Sequence, residues 1–259
     1  MESVPHAVIG RIEGIVRRIA PQMDQVEGAD PAMLLALDEA LLIGAESGEI
    51  GASFRTWEFA QPTVVLGRSS KVDRETDREF CDSNGIPIYR RCSGGASIVG
   101  GPGCLMYSVV LSIQEFPQAA RIDGAHALVM GRVLAAVRPQ LPEVRLQGIC
   151  DLTWKNQKFS GNALRITRQH VLYHGTILYA ADLHLTSKCL DFAPRQPGYR
   201  EGRNHLTFIT NAPLDRHRLV RDLSHGFAAV DGALPEAIVS RAVNLVSSRY
   251  SCEDWRFRH

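Results

Sequence analysis

The chain has 259 residues, 45% of them hydrophobic and 22% charged, with a formal net charge of +1. A single fold of that size buries about three-quarters of its unfolded surface, so one large domain or two small ones are possible. The near-neutral balance argues against non-specific nucleic-acid binding as the main task. No apolar run is long enough to span a bilayer, and the start of the chain lacks a secretion-signal pattern. Six cysteines (Cys81, Cys92, Cys104, Cys150, Cys189 and Cys252) are scattered without a C-x-x-C pair. That disfavours a zinc site and predicts reduced thiols in the cytoplasm.

In chain order, residues 1–30 mix Pro, Gly and charge and read as a short helical lead-in. Pro31 opens a strong helix in which Met33, Leu34, Leu37, Leu41 and Leu42 recur at helical spacing, with Asp38 and Glu39 on the opposite side. After a loop over Gly44–Ser53, Phe54–Phe59 and Thr63–Gly67 read as strands. Asp73–Asn84 reads as one helix, ended by Asn84-Gly85. Ile86–Arg91 is a strand that empties into a glycine-rich loop, and Leu105–Ile113 is another strand. Ala125–Val137 is helical. Cys150–Trp154, Phe159–Ile166 and Val171–Tyr179 are consecutive strands. Asp182–Leu190 is a short helix or turn, and Pro194–Arg200 an irregular basic loop. Two amphipathic helices, Asp215–Phe227 and Pro235–Arg249, close the chain. Helices and strands in this order fit an α/β unit of α+β type, a mixed sheet flanked by helices. There is no internal repeat.

Four places carry chemistry. Arg90-Arg91-Cys92-Ser93-Gly94-Gly95-Ala96-Ser97-Ile98-Val99 is a glycine-rich loop after a strand. Its backbone N–H groups can approach an anion closely, and two arginines at its entrance can pair with phosphate or carboxylate. A wide turn with incidental charge has the same appearance. Lys158-Phe159-Ser160-Gly161-Asn162-Ala163 sets an ammonium against a Ser-Gly break in a strand pattern, which suits an acyl or phosphoryl substrate approaching the backbone. Cys150 reads as a small buried hydrophobe or, near an ammonium, as a low-pKa nucleophile. Asp151 beside it can bind a cation or orient Lys158. His174, on an apolar strand, reads as a satisfied structural histidine.

Taken together, RRCSGGA (90–96), GICDL (148–152), KFSGNA (158–163) and YHGTIL (173–178) resemble, in this order, the catalytic domain of the lipoate–protein ligase and octanoyltransferase superfamily. That superfamily is related to the biotin–protein ligases. The resemblance runs from about Leu35 to Asn211. It implies a class II synthetase-like catalytic domain over 31–212, an acyl chain in an apolar tunnel, and a helical tail over 213–259 without a large accessory domain. It implies that Arg91, Gly94, Gly95 and the Ala96, Ser97, Ile98 and Val99 backbone line the nucleotide and acyl carboxylate, with Ser160, Gly161 and His174 beside them. Lys158 would contact the acyl carbonyl and the phosphate, and Asp151 would sit near magnesium-bound phosphates. Co-substrates would be ATP with Mg2+ and lipoate or octanoate, with no tightly bound cofactor.

The implied partner is a lipoyl domain of a 2-oxoacid dehydrogenase E2 or a glycine-cleavage carrier protein, with acyl carrier protein as a further donor. No nucleic acid or membrane is implied. The basic loop Arg195–Arg203 is a candidate docking face, or a solvated loop.

The chain departs from the family pattern at Ala96, where a third glycine is usual, at Gly100-Gly101 and Gly103-Cys104, at Tyr173 in place of a first histidine, and at Cys150 in place of asparagine. Cys150 opens a second reading, because the cysteine-dependent octanoyltransferases of the superfamily carry the acyl group as a thioester without ATP. Their loop between cysteine and lysine is usually longer. A third reading is a non-catalytic binder of lipoate or lipoyl domains.

Overall fold

The computed structural model describes residues 16–19, 30–192 and 195–259. Most of the expected lead-in, residues 1–15 and 20–29, lies outside the described residues, as does Pro194 of the basic loop. The strands are β1 (Val16–Ile19), β2 (Ser53–Trp57), β3 (Thr63–Leu66), β4 (Ile88–Arg90), β5 (Ile98–Gly100), β6 (Cys104–Ser112), β7 (Arg145–Gln147), β8 (Asp151–Trp154), β9 (Gln157–Ile166), β10 (His170–Leu178) and β11 (Ala229–Gly232). The helices are α1 (Pro31–Glu46), α2 (Val72–Glu75), α3 (Arg78–Ser83), α4 (Ile122–Val137), α5 (Leu183–Cys189), α6 (His205–Phe208), α7 (Arg216–Gly226), α8 (Glu236–Leu245) and α9 (Glu253–Arg256).

Eight strands form one sheet in the order β11-β1-β2-β6-β10-β9-β8-β7, and β4-β3-β5 form a second. Both are mixed. In the large sheet β1 runs parallel to β2 and β11, and the remaining pairs are antiparallel. The α/β architecture with a mixed sheet flanked by helices is therefore present. Period-2 alternation in β6 buries the sheet on both faces. Leu105, Tyr107, Val109 and Leu111 pack with Val129 and Val133 of α4 and Leu219 and Leu223 of α7. Met106 and Val110 pack with Leu34, Leu35 and Leu41 of α1 and Ile238 of α8.

Four expectations need correction. Val16–Ile19 is a strand, not part of a helical lead-in, and the tail supplies β11 beside it as well as helices. The single helix expected over Asp73–Asn84 is two. The break falls at Thr76-Asp77, where Asp77 N donates to Cys189 O at 3.0 Å and the Asp77 carboxylate caps α3 through Phe80 N at 2.8 Å. The expected Ser-Gly break is absent, since β9 runs unbroken through Ser160-Gly161. Finally, Asp38 and Glu39 do not face water. The helix α1, capped by Asp30 with Pro31 at its first turn, is buried nearly all round, and both carboxylates are 1% exposed.

Candidate active site

Lys158 is placed by a hairpin with an irregular register. Lys155 and Asn156 both take positive φ (49° and 60°), the backbone of a tight two-residue turn between β8 and β9. Leu152 then pairs with Ser160 but Thr153 pairs with Lys158, so Phe159 is a bulge residue that re-aims its neighbours. Lys158 Nζ meets Asp151 Oδ1 at 2.8 Å. The other oxygen, Asp151 Oδ2, accepts from the Tyr199 hydroxyl at 2.8 Å. Burial, with Asp151 next, pushes the Tyr199 phenol well above its usual range, so it stays a donor. A Cβ on Gly161 would sit 2.9 Å from Lys158 Cε and Nζ. The glycine is there to make room for the lysine.

The glycine-rich loop is shaped by its own arginines. Arg91 donates to the carbonyls of Gly94 (3.1 Å from Nε), Ala96 (2.9 Å) and Val65 (3.3 Å), and to Ser93 Oγ (3.2 Å). Arg90 donates to Gly67 O, Ser70 O and Trp255 O at 2.7–3.0 Å. Burial lowers both guanidinium pKa values to about 10. These cations are spent on organising the loop, although Arg91 also lines the site. Glu75 ties the loop from beneath: its Oε2 accepts from Ser97 N, Ser97 Oγ and Ser70 Oγ at 2.8–3.1 Å. Gly95 takes φ 85°, and its carbonyl lies 1.9 Å from where a Gly67 Cβ would stand, so the two loops touch backbone to backbone.

His174 is enclosed at both nitrogens. Nδ1 meets Asp38 Oδ2 at 2.9 Å, and Nε2 bonds the Ser93 hydroxyl. Asp38 Oδ1 is held by Arg55 at 3.0 Å and by Ser108 at 2.7 Å. A buried carboxylate on α1 thus reaches through a histidine on β10 to the glycine-rich loop. The neighbouring Tyr173, where the family has another histidine, faces the opposite side of the sheet and bonds His126 at 2.8 Å.

Cys150 is 9% exposed, with Sγ 3.5 Å from Asn162 O, while Asn162 Nδ2 donates to Cys150 O at 2.6 Å. Burial, and then Asp151, push its thiol up to about 11, against an opposing pull from Lys158. It is a neutral thiol at physiological pH.

Two clefts meet over Lys158. One, the Trp57 cleft, is lined by Leu35, Trp57, Val65 and Met106 with Arg91, Asn162 and His174. The other, the Arg200 cleft, carries Glu75, Asp191, Arg200 and His205 among apolar side chains that include Phe159, Leu190 and Phe208. Lys158, Gly161, Thr176 and Ala96–Ile98 line both. A cation therefore stands where the two clefts join, with the lining carboxylates Glu75 and Asp191 in the Arg200 cleft. Of the residues expected at the site, Lys158, Arg91, Ala96, Ser97, Ile98, Val99, Ser160, Gly161 and His174 line these clefts. Gly94, Gly95, Cys150 and Asp151 do not; they shape the loop or stand behind Lys158.

Comparison with known proteins fits this geometry. The family model of the lipoyl protein ligase A/B catalytic domain matches residues 30–210. The chain belongs to this family. A relative from Aeropyrum pernix, provisionally named lipoate-protein ligase A, is 31% identical over 155 residues, covering 60% of this chain and 56% of that protein. The octanoyltransferase LipM of Brevibacillus brevis is 21% identical over 267 residues, covering 90% of this chain and 96% of that protein. Protein Ta0514 of Thermoplasma acidophilum, solved with lipoic acid bound, shares the fold at a TM-score of 0.79 and 19% identity, covering 95% of this chain and 100% of that one. The chain thus spans about half the length of its A. pernix relative and nearly all of the other two.

Sequence reasoning gave no site role to Asp38, Glu75 or Tyr199, which hold the lipoyl ligase family motifs in place, and named Asn162 only as a member of the KFSGNA motif. For Asp38 the sign was available. A helix apolar at positions 33–37 and 40–43 has no polar side, so its central Asp-Glu pair must be buried and partnered.

Magnesium has no ready-made cage. Both Asp151 oxygens are engaged, and no group of three or more His, Cys, Asp or Glu suited to a metal exists among the described residues. Among the described residues such an ion fits as one carried by nucleotide phosphates with one or two protein carboxylates.

Proposed function

We propose that this chain attaches lipoate or octanoate to a lysine of a lipoyl domain through an acyl-adenylate. The observation that carries the proposal is the meeting of two clefts over one lysine. The acyl chain lies in the Trp57 cleft with its carboxylate at Lys158. The nucleotide lies in the Arg200 cleft with its α-phosphate on the same ammonium. A carboxylate oxygen attacks the α-phosphorus and the bond to pyrophosphate breaks. The acceptor lysine's amine then attacks the acyl carbon, the bond to AMP breaks, and the amine proton is lost to solvent.

Lys158 neutralises charge that grows on phosphoryl and carbonyl oxygens in both steps. Asp151 and Tyr199 hold it in position, so little reorganisation is needed. The Ala96–Ile98 backbone closes over both substrates. Magnesium, bound with the triphosphate, supplies charge shielding of its oxygens. Residues 31–212 form the catalytic unit in this reading. The six free thiols suit a reducing cytoplasm.

The test is intact-mass analysis of an apo lipoyl domain incubated with this protein, lipoate, ATP and magnesium. A lipoyl mass gain that depends on ATP supports the proposal; none, with a correctly folded acceptor, overturns it.

A second reading is ATP-independent transfer through a Cys150 thioester. The near full-length match to an octanoyltransferase favours it. The buried, neutral thiol, pointed at a backbone carbonyl, disfavours it. A parallel tube with octanoyl carrier protein and no ATP separates the two. Affinity for lipoate without mass gain in either tube would mark a non-catalytic binder.

A further inference from the structure

Within the basic segment Arg195–Arg203, Arg195 is exposed but Arg200 and Arg203 turn to the protein. Arg203 donates to Tyr199 O at 2.7 Å, Asn156 O at 2.9 Å and Arg200 O at 3.1 Å, which straps the segment to the β8–β9 hairpin. Arg200 turns inward and is 5% exposed. Its guanidinium lies between the rings of Phe192 and Phe208, 4.7 Å from each centroid. Its Nε donates to Arg203 O at 2.9 Å. Its Nη2 is buried with no hydrogen-bond partner, and no carboxylate pairs with the guanidinium among the described residues.

A buried cation with an unmet donor is costly unless something completes it. The two rings attract the charge but offer no acceptor. Arg200 lines the second cleft together with Lys158 and Ser160, so the missing acceptor can arrive from that cleft. A guanidinium only donates, and its planar fork matches the oxygens of a phosphate. Of the nearby carboxylates, Asp151 is satisfied by Lys158 and Tyr199 and Glu75 by Ser70 and Ser97, and Asp191, which also lines the cleft, forms no ion pair with Arg200 among the described residues.

We propose that Arg200 is the anchor for a phosphoryl group of the acyl donor, held in the cleft that Arg200 lines together with Lys158. The proposal rests on the acyl-donor reading given above. One chemistry has two sources: the terminal phosphates of a nucleoside triphosphate, or the phosphodiester of a phosphopantetheine thioester on a carrier protein. In either case Arg200 grips the part of the donor that does not react. Its effect falls on donor affinity and not on the acyl chain.

The test is calorimetric titration of wild type, Arg200→Gln and Arg200→Lys with three probes: MgATP, octanoyl carrier protein, and lipoate alone. For whichever phosphorylated donor wild type binds, Arg200→Gln is expected to weaken affinity about ten- to hundredfold. Lipoate affinity stays unchanged. Arg200→Lys keeps the charge but loses the fork, and falls between. The probe that weakens identifies the source. Steady-state turnover should show the loss in KM for the donor and not in kcat.

Equal donor affinity in wild type and Arg200→Gln overturns this inference and leaves the acyl-transfer reading standing. Wild type that binds neither donor overturns both. If Arg200→Gln fails to fold by circular dichroism, Arg200→Lys decides: selective weakening of the donor supports the anchor, and unchanged affinity removes it.

Discussion

The ammonium of Lys158 lies 2.8 Å from Asp151 Oδ1, and that carboxylate is shared with the hydroxyl of Tyr199. The side chain of Lys158 is 28% exposed, so the pair is partly solvated and its value is positional more than cohesive. Lys158→Ala should lower acyl transfer about 10²–10³-fold, the scale of losing one preorganised stabiliser of transition-state charge. Its melting temperature should stay within a few degrees of wild type. Tyr199→Phe leaves the ammonium in place and frees one Asp151 oxygen, so it should cost far less. Single-turnover kinetics on both variants checks the order, and equal losses would contradict the positional account.

Gly161 offers an independent test of where that ammonium must stand. Gly161 lies past the bulge, and its φ is not in the left-handed region, so alanine is tolerated by the backbone. The added methyl would meet Lys158 Cε and Nζ at 2.9 Å, and the flexible lysine tip would move away. Gly161→Ala should therefore reduce turnover at least tenfold, while thermal stability stays close to wild type. A stable variant with full activity would show that the position of the Lys158 tip is not critical.

The sequence exposed the motif residues that line the clefts because their chemistry is local. A glycine loop after a strand, a lysine beside Ser-Gly, and a histidine before glycine are each legible within a few positions. What stayed hidden depends on contacts across long stretches of chain. Asp38 bonds His174, 136 residues away, and Glu39 bonds Arg249, 210 away. Local pattern placed both carboxylates on a polar helix face, yet the helix packs on the sheet and on α8 at once and has no such face. Arg200 and Arg203 looked like free surface charge because composition cannot report that Phe192, Phe208 and backbone carbonyls surround them. The β7, β5 and β11 strands, three or four residues each, carry too little periodicity to read.

Glu39 makes an acid-stability prediction. Burial pushes its pKa up, but hydrogen bonds from Arg165 and Arg249 and from Tyr250 outweigh it and hold the carboxyl below its ordinary value. A depressed folded pKa means the unfolded chain binds the proton more readily. The contribution is thus fully present above about pH 4.3, the unfolded value, and is lost as pH falls through the lower folded value. Glu39→Gln should cost about 1–3 kcal/mol at neutral pH, since Arg165 and Arg249 are 28% and 36% exposed and regain water when unpaired. The difference from wild type should shrink below pH 4. Urea unfolding at pH 7 and pH 3.5 checks this, and a constant difference would show that the charge of Glu39 carries none of it.

Cys150 separates the two chemistries. Its thiol is pushed up to about 11 by burial and by Asp151, and Sγ faces Asn162 O at 3.5 Å. Only the thiolate attacks a thioester or an alkylating reagent. In the ligand-free protein, iodoacetamide should label Cys150 very slowly at pH 7.5, with the rate rising through pH 10 and above. Under the adenylate route the attacking groups are the acyl carboxylate and the acceptor lysine, so Cys150→Ala should keep ATP-dependent transfer within severalfold of wild type. Under the thioester route the same change removes the atom that holds the acyl group, and transfer should fall by at least three orders of magnitude. Rapid labelling at neutral pH together with loss of transfer in Cys150→Ala would overturn the adenylate route. It would mean that the turn holding Cys150 opens in the ligand-free protein and brings Lys158 close enough to lower the thiol's pKa.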